Sequence, residues 1–436
     1  MSGGARVTFW ECAYLPTVLR GHRRPEHEVR ERALRGVREL LGHARAHVPH
    51  YRDDPAYAAV ITELAGLAAL PVLDKPAVLA AGPERFCDPR LSTRDYHVDS
   101  TSGSTGVRLT VRHDERGYGY HGATVFRRFV LSGYRPWWRI AQFKPFPRPV
   151  RWFQRLGLFT RTVIASGQTE REMADQLLRA RPQLIMGYPV VLRGLLRELT
   201  AEELARVRKH LRLVMTDSEL LTDEAAEHLR GEFGVPVLDE YSAYEVLTMS
   251  VQCRAGSMHI DEDRVWLEVV GEEDIPVPDG EVGSVVVTHY RERAMPLVRY
   301  RVGDRARIVP GPCACGSGFR RMKLVDGREN DFVTLPGGRR VYSGVFLSIA
   351  MFTPGVAECM IRQAEDGRIT VHLVPDRAAG VSFERAARSF AAELARLVGT
   401  EVPACFEQTD RVRLAVSGKG KFVESAYDGA LAATEE

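Results

Sequence analysis

Between residues 169 and 241 the chain alternates helix signals with short apolar runs, and no other feature restricts the fold as much. Thr169-x-x-Glu172 and Thr200-x-x-Glu203 are capping boxes. In each, the Thr hydroxyl accepts from an unpaired amide at the helix start and the Glu carboxylate from another. Thr222 is a third N-cap, and Gly234 stops its helix. Between them lie LRLVMT (211–216) and VPVLDEY (235–241), short apolar runs of the type buried on both faces of a sheet. Helices alternating with buried strands predict a layered α/β domain. From about 264 the rhythm becomes strands and turns: RVWLEVV, GSVVVTHY, DRARIV. The turn-rich stretch 328–344 then reads as a boundary. Beyond it, RITVHLV (368–374), a Ser382-capped helix stopped by Gly399, and RVRLAV (411–416) predict a small α+β domain. A chain of 436 residues exceeds one ordinary core. We therefore expect a large domain of sheets and helices over 1–328 and a small one over 329–436. Near the N-terminus, Val29, Ala33, Val37, Leu40, Leu41, Ala44 and Val48 recur at helical spacing, which predicts an amphipathic surface helix ended by Pro49.

The chemistry begins at Ser100-Thr101-Ser102-Gly103-Ser104-Thr105-Gly106. Such a run has no apolar face to bury, but its hydroxyls and backbone amides can wrap a polyphosphate. It is followed by the strand-like VRLTVRHD and lacks the Lys-Ser/Thr pair that opens a helix in Walker-type loops. A strand–loop–strand phosphate clamp is the functional reading, and a flexible surface linker is the other. The formal charge of +3, from Lys+Arg 60 against Asp+Glu 57, gives no reason to expect a nucleic-acid or membrane-surface partner. No apolar run approaches the roughly 18–20 residues of a membrane span. The N-terminus carries no leader pattern, and seven cysteines, an odd number, point to a reducing cytosol rather than a disulfide framework.

Cys253-x5-His259 and Cys313-x-Cys315 form a second constellation. Two chelating pairs of thiolate and imidazole suit tetrahedral zinc, although buried free cysteines would also explain them. Cys12, Cys87, Cys359 and Cys405 have no partner pattern and read as packing residues. Aromatics interleaved with arginines in 118–165 suggest an interior sheet or an aryl-binding pocket. A zinc-ribbon nucleic-acid binder would use both features, and the charge balance opposes it.

Taken in order, several stretches resemble the adenylate-forming ligases, in the branch of phenylacetate–CoA ligase and CapK-type proteins. They are LLGHARAHVPHYR (40–52), LPVLDK (70–75), TSGSTG (101–106), IMGYPVVL (185–192), SELLTDE (218–224), DEYSAYEV (239–246), PLVRYRVGD (296–304), GREND (327–331) and SGKGKF (417–422). The resemblance implies an α/β fold whose small C-terminal domain is mobile. It implies ATP-dependent activation of a carboxylic acid, an aryl acid on the strength of the aromatics, followed by transfer to a thiol such as CoA. By resemblance Thr101, Ser102, Gly103, Ser104, Thr105 and Gly106 would hold the β/γ-phosphates. Glu245 would bind Mg²⁺, and Asp304 the ribose hydroxyls. Ser218, Glu219, Tyr241 and Ser242 would lie along the nucleotide, and Gly187, Tyr188, Pro189 and Tyr244 along the acid. Arg328 would meet a ribose or phosphate oxygen, and Lys419 the α-phosphate and carboxylate. Asn330 and Asp331 are the implied hinge. Many members carry comparable Cys/His segments, so zinc at Cys253, His259, Cys313 and Cys315 would be structural.

Two departures bear on the acid and acceptor. Val107 and Arg108 stand where the family's loop continues with Lys, and Tyr241-Ser242-Ala243-Tyr244-Glu245 replaces its YG-x-TE. An amine or a carrier protein as acceptor therefore remains open beside CoA, as does a nucleotide-binding protein that has lost catalysis. The sequence sets no oligomeric state.

Overall fold

The computed structural model describes residues 3–92, 96–100, 109–145, 150, 152–326, 332–335, 339–342, 345–346, 349–350, 353–376, 379–398, 402–409 and 423–425. They are mixed α/β and fall into two compact units, one drawn from 1–100, 109–135 and 238–327, the other from 136–237 and 328–436.

In the first unit seven strands follow the order Trp266–Val270, Gly283–Thr288, Tyr300–Val309, Arg321–Asp326, Met258–Ile260, Leu247–Gln252, Val237–Ala243, each pair antiparallel. The helix Glu26–His47 turns the expected face inward, with Val29, Ala33, Val37, Leu40, Leu41 and Ala44 buried. Much of that face joins Leu267, Val285, Val287 and Tyr300 in one core. Pro49 does more than end this helix, because it opens the next one, Pro49–Asp53, at a position where its missing N–H costs nothing. The LPVLDK segment is stitched to the sheet: Leu73 N donates to Arg299 O at 3.0 Å and Leu73 O accepts from Arg301 N at 2.8 Å. An antiparallel hairpin, Tyr96–Ser100 with Thr110–Asp114, flanks the phosphate-loop sequence. The aromatic stretch differs from expectation, since its first part is the helix Glu115–Leu131 rather than a sheet. Asp114 caps that helix, accepting from Arg116 N and Gly117 N.

In the second unit four parallel strands run in the order Leu213–Thr216, Leu184–Gly187, Ile140–Lys144, Arg161–Ala165. Helices Glu170–Ala180, Pro189–Glu198, Ala201–His210 and Asp223–Phe233 accompany them. Both capping boxes form, Thr222 caps its helix, and Gly234 ends it at φ +68°. The later residues build a second sheet, in the order Ala404–Gln408, Ile369–Pro375, Val356–Gln363, Val423–Ser425, with the helix Phe383–Val398. Both groups share one hydrophobic core, from Ala141 to Val423. Gly167 is required at their contact, because a Cβ there would lie 2.6 Å from Leu397 O. Strand 411–416 and Gly399 lie outside the described residues. Among the described residues no helix is long and apolar enough to cross a membrane.

Candidate active site

Glu245 sits in the turn between the antiparallel strands Val237–Ala243 and Leu247–Gln252, a turn closed by Val246 N on Ala243 O at 3.2 Å. Leu247 takes φ +61° to re-enter the sheet. The half-buried Glu245 carboxylate accepts from Tyr300 Oη at 3.0 Å, which leaves its other oxygen for a hard cation. Asp304 is aimed by a bulge: Val286 pairs with Arg301 and Ser284 with Arg305, so two extra residues enter one strand. Gly303 provides φ +98° within it, and an insertion of two keeps Tyr300, Val302, Ala306 and Ile308 all facing the core. Tyr241 Oη donates to Asp304 Oδ2 at 2.8 Å. The first unit thus pairs Tyr241 with Asp304 and Glu245 with Tyr300, the last of which sequence reasoning had not assigned. Ser242 is half-buried opposite Thr248, and Tyr244 is 45% exposed.

Beneath this turn lies a buried polar cluster that periodicity could not reveal. His113, on the strand leaving the phosphate-loop sequence, meets Glu292 Oε2 through Nδ1 at 3.0 Å and Tyr244 O through Nε2 at 3.3 Å. Burial, then the charge of Asp114, raises the Glu292 carboxyl to about 7 against its bond to His113. Burial lowers the His113 imidazole, but the bond to and charge of Glu292 outweigh it, so its pKa rises. Arg264 donates to Val246 O at 2.8 Å and contacts His289 Nε2 at 2.9 Å. Burial and then Arg264 hold His289 well below the usual imidazole range. The backbone that presents Glu245 is therefore fixed at Tyr244 and Val246 by two buried side chains.

In the second unit Gly187, Tyr188 and Pro189 follow the strand Leu184–Gly187, with Pro189 opening the next helix. Gly187 admits the Phe143 ring, which a Cβ would meet at 3.1 Å. Ser218 has φ +69° and donates to Asp217 Oδ1 at 2.8 Å, and Glu219 is half-buried beside it. These residues lie past the C-terminal ends of parallel strands, where open α/β sheets bind ligands. Lys144, at the end of Ile140–Lys144, was not anticipated: its Nζ donates to Asp217 Oδ1 at 2.8 Å and lies 4.9 Å from the Tyr188 ring centroid. Thr101 to Gly106, Arg328, Asn330, Asp331 and Lys419 lie outside the described residues.

The Cys/His set does converge. The donor atoms of Cys253, His259, Cys313 and Cys315 all lie within 4.8 Å of one another. Cys253 and Cys313 Sγ are 3.7 Å apart, and Cys315 Sγ is 3.3 Å from His259 Nε2. Zn–S bonds of about 2.3 Å in a tetrahedron give an S···S edge of roughly 3.8 Å, so the donor set fits that ion. His259 Nδ1 donates to Phe319 O at 3.1 Å, which leaves Nε2 as the ligand atom. Gly256 N on Cys253 O and Gly316 N on Cys313 O close the tight turns, at φ +82° and +76°. Burial opposes ionisation of Cys313, but hydrogen bonds from Cys315 N and Ser257 bring its thiol down to about 6. Of the remaining cysteines, Cys87 and Cys359 are buried, whereas Cys12 and Cys405 are exposed and do not serve as packing residues.

Phenylacetate–coenzyme A ligase of Pseudomonas putida is 27% identical over 326 residues, 71% of this chain and 72% of that protein. Protein CapK of Staphylococcus aureus is 22% identical over 261 residues, 59% of this chain and 56% of that one. No family model matches. A 2-hydroxyisobutyryl-CoA ligase in its postadenylation state superposes with a TM-score of 0.61 at 17% identity, over 93% of this chain and 91% of that one. In sequence the chain is similar to phenylacetate–CoA ligases and to CapK, and its fold is similar to that of an acyl-CoA ligase. Mixed α/β architecture with a smaller C-terminal part is the fold that this chain shares with that ligase.

Proposed function

We propose that this adenylate-forming protein activates a carboxylic acid with ATP as an acyl-adenylate and passes the acyl group to a thiol, with CoA as the acceptor. The observation that carries the reading is the pairing of Glu245 with Tyr300 and of Asp304 with Tyr241, both partners of each pair lying in the first unit. Each of the two carboxylates is thereby oriented by a phenol. An oriented carboxylate with a free oxygen suits Mg²⁺, and a second suits a ribose diol.

In this mechanism Glu245 would hold Mg²⁺, which screens the phosphate charge when bound. Asp304 would accept from the ribose hydroxyls while Tyr241 and Ser242 flank the nucleotide with Ser218 and Glu219. Thr101, Ser102, Gly103, Ser104, Thr105 and Gly106 would donate to the β/γ-phosphates as pyrophosphate leaves. Lys419 and Arg328 would offset the negative charge that builds at the α-phosphate during in-line attack by the substrate carboxylate. Gly187, Tyr188, Pro189 and Tyr244 would line the acid. The part following Asn330-Asp331 would then turn, withdrawing Lys419 so that the thiol reaches the acyl carbon. Cys253, His259, Cys313 and Cys315 would hold a structural zinc, all four positions being filled by protein.

The test is acid-dependent exchange of labelled pyrophosphate into ATP across aryl and alkyl acids, followed by acceptor trials with CoA, amines and carrier-bound phosphopantetheine. Exchange is expected with at least one acid. A folded protein that binds ATP but exchanges with none would instead be a nucleotide-binding module.

A further inference from the structure

Three neighbouring parallel strands of the second unit pair Gln142 with Met186 and Met186 with Met215. Side chains two residues apart share a face, so Lys144, Tyr188 and Asp217 continue that face past the strand ends. The contacts agree: the Lys144 ammonium lies over the Tyr188 ring and bonds Asp217. One N–H of three is used on Asp217, so the ammonium retains donor capacity. Gln142 is 6% exposed, and its Oε1 has no hydrogen-bond partner among the described residues. An ammonium with donors to spare and a buried amide oxygen lacking a donor therefore stand together on the face that carries Tyr188. Such a pair asks for one group that both accepts and donates. A hydroxyl does both, through its lone pairs and its proton. A second carboxylate would be repelled by Asp217, and a hydrocarbon would cover both polar atoms and satisfy neither.

We propose that the acid carries a hydroxyl group remote from its reacting carboxylate, read by Lys144 and Gln142, so that these two residues set the specificity of the site. The proposal rests on the acid-pocket role of Gly187, Tyr188 and Pro189 proposed above, and it goes further by naming the substrate class. A site built to hydrogen-bond a substrate hydroxyl rejects the analogue lacking it far more strongly than an apolar slot rejects an added methylene.

The experiment is pyrophosphate exchange with matched acid pairs, aryl and alkyl, each differing only by a hydroxyl at successive positions. The hydroxylated member of at least one pair is expected to exceed its parent in kcat/KM by about 100-fold or more. Lys144→Met and Gln142→Leu should each cut that ratio by about tenfold while leaving the KM for ATP unchanged. Melting temperatures of both variants establish that they are folded, and either variant suffices if the other is not. Exchange in which unsubstituted acids equal or exceed their hydroxylated partners overturns this inference and leaves the ligase reading intact. An unchanged ratio in both folded variants also overturns it. Absence of exchange with every acid removes the ligase reading and the inference with it.

Discussion

Arg299, within the PLVRYRVGD stretch, offers a sharp test of how the first unit holds its buried charges. Its side chain is 1% exposed and grips Glu268, itself 5% exposed, through Nε at 3.2 Å and Nη2 at 3.1 Å. The same guanidinium donates to Leu70 O at 2.6 Å, Ala68 O at 3.3 Å and Asp274 O at 2.7 Å. Substituting Arg299→Met keeps the stem and removes every one of these donors. Breaking a buried pair by deleting one partner costs about 3–5 kcal/mol, since the other charge stays behind without compensation. Each orphaned carbonyl adds on the order of 1 kcal/mol, less than additively within one network. Glu268 has a partial escape, because burial already raises its pKa against the pull of Arg299. Without Arg299 the folded protein would hold that proton more tightly than the unfolded chain does. The penalty is therefore full at pH 8 and shrinks as pH falls toward the ordinary carboxylate range. We expect a loss of about 4–5 kcal/mol at pH 8 in urea unfolding followed by tryptophan fluorescence, and a smaller loss at pH 5.5. The double variant Arg299→Met/Glu268→Met should recover about 2 kcal/mol of it. A single-variant loss under about 1 kcal/mol, or a double variant no more stable than the single, would refute the reasoning.

Metal analysis of the purified protein should find about one zinc per chain, and Cys253→Ser should abolish it and lower the melting temperature. A metal-free protein that melts as cooperatively as the zinc-loaded one would disprove that site. Tyr300→Phe removes the phenol from Glu245, so half-saturation for Mg²⁺ in the exchange assay should rise about fivefold for a stability loss near 1 kcal/mol. An unchanged magnesium requirement would mean that Glu245 is not the ligand. His289 is neutral in the fold because burial and Arg264 depress its pKa, while in the unfolded chain it takes a proton below about pH 6.5. Its contribution is thus complete above that pH and lost as pH falls, by at most about 1.4 kcal/mol per pH unit. His289→Gln should flatten the fall in urea midpoint between pH 7 and 5.5, and parallel curves for the two proteins would contradict this.

Local signals carried well into the structure. The capping boxes at Thr169 and Thr200 and the apolar spacing along 26–47 act over three or four residues, so sequence neighbours suffice to satisfy them. The same holds for Gly256 and Gly316, whose positive φ values turn the chain just after Cys253 and Cys313. Aromatic content was a poorer guide. Tyr120 and Phe129 are buried on a helix, while Trp137 is 62% exposed, because ring composition has no period of its own. The helix Gly3–Gly21 also escaped the reading, with Pro16 inside it and no acidic residue in its first turn.

The chain alone determined the capped helices of 169–234 and the helix of 26–47, and which residue types are available for phosphate, acid and metal. Tertiary structure decided which of them meet: Tyr300 with Glu245 across 55 positions, Lys144 with Asp217 across 73, His113 with Glu292 across 179. The physical reason is range. Hydrogen bonds that cap a helix or close a turn are made within a few residues, whereas a buried charge takes whichever partner the packed sheets bring to it.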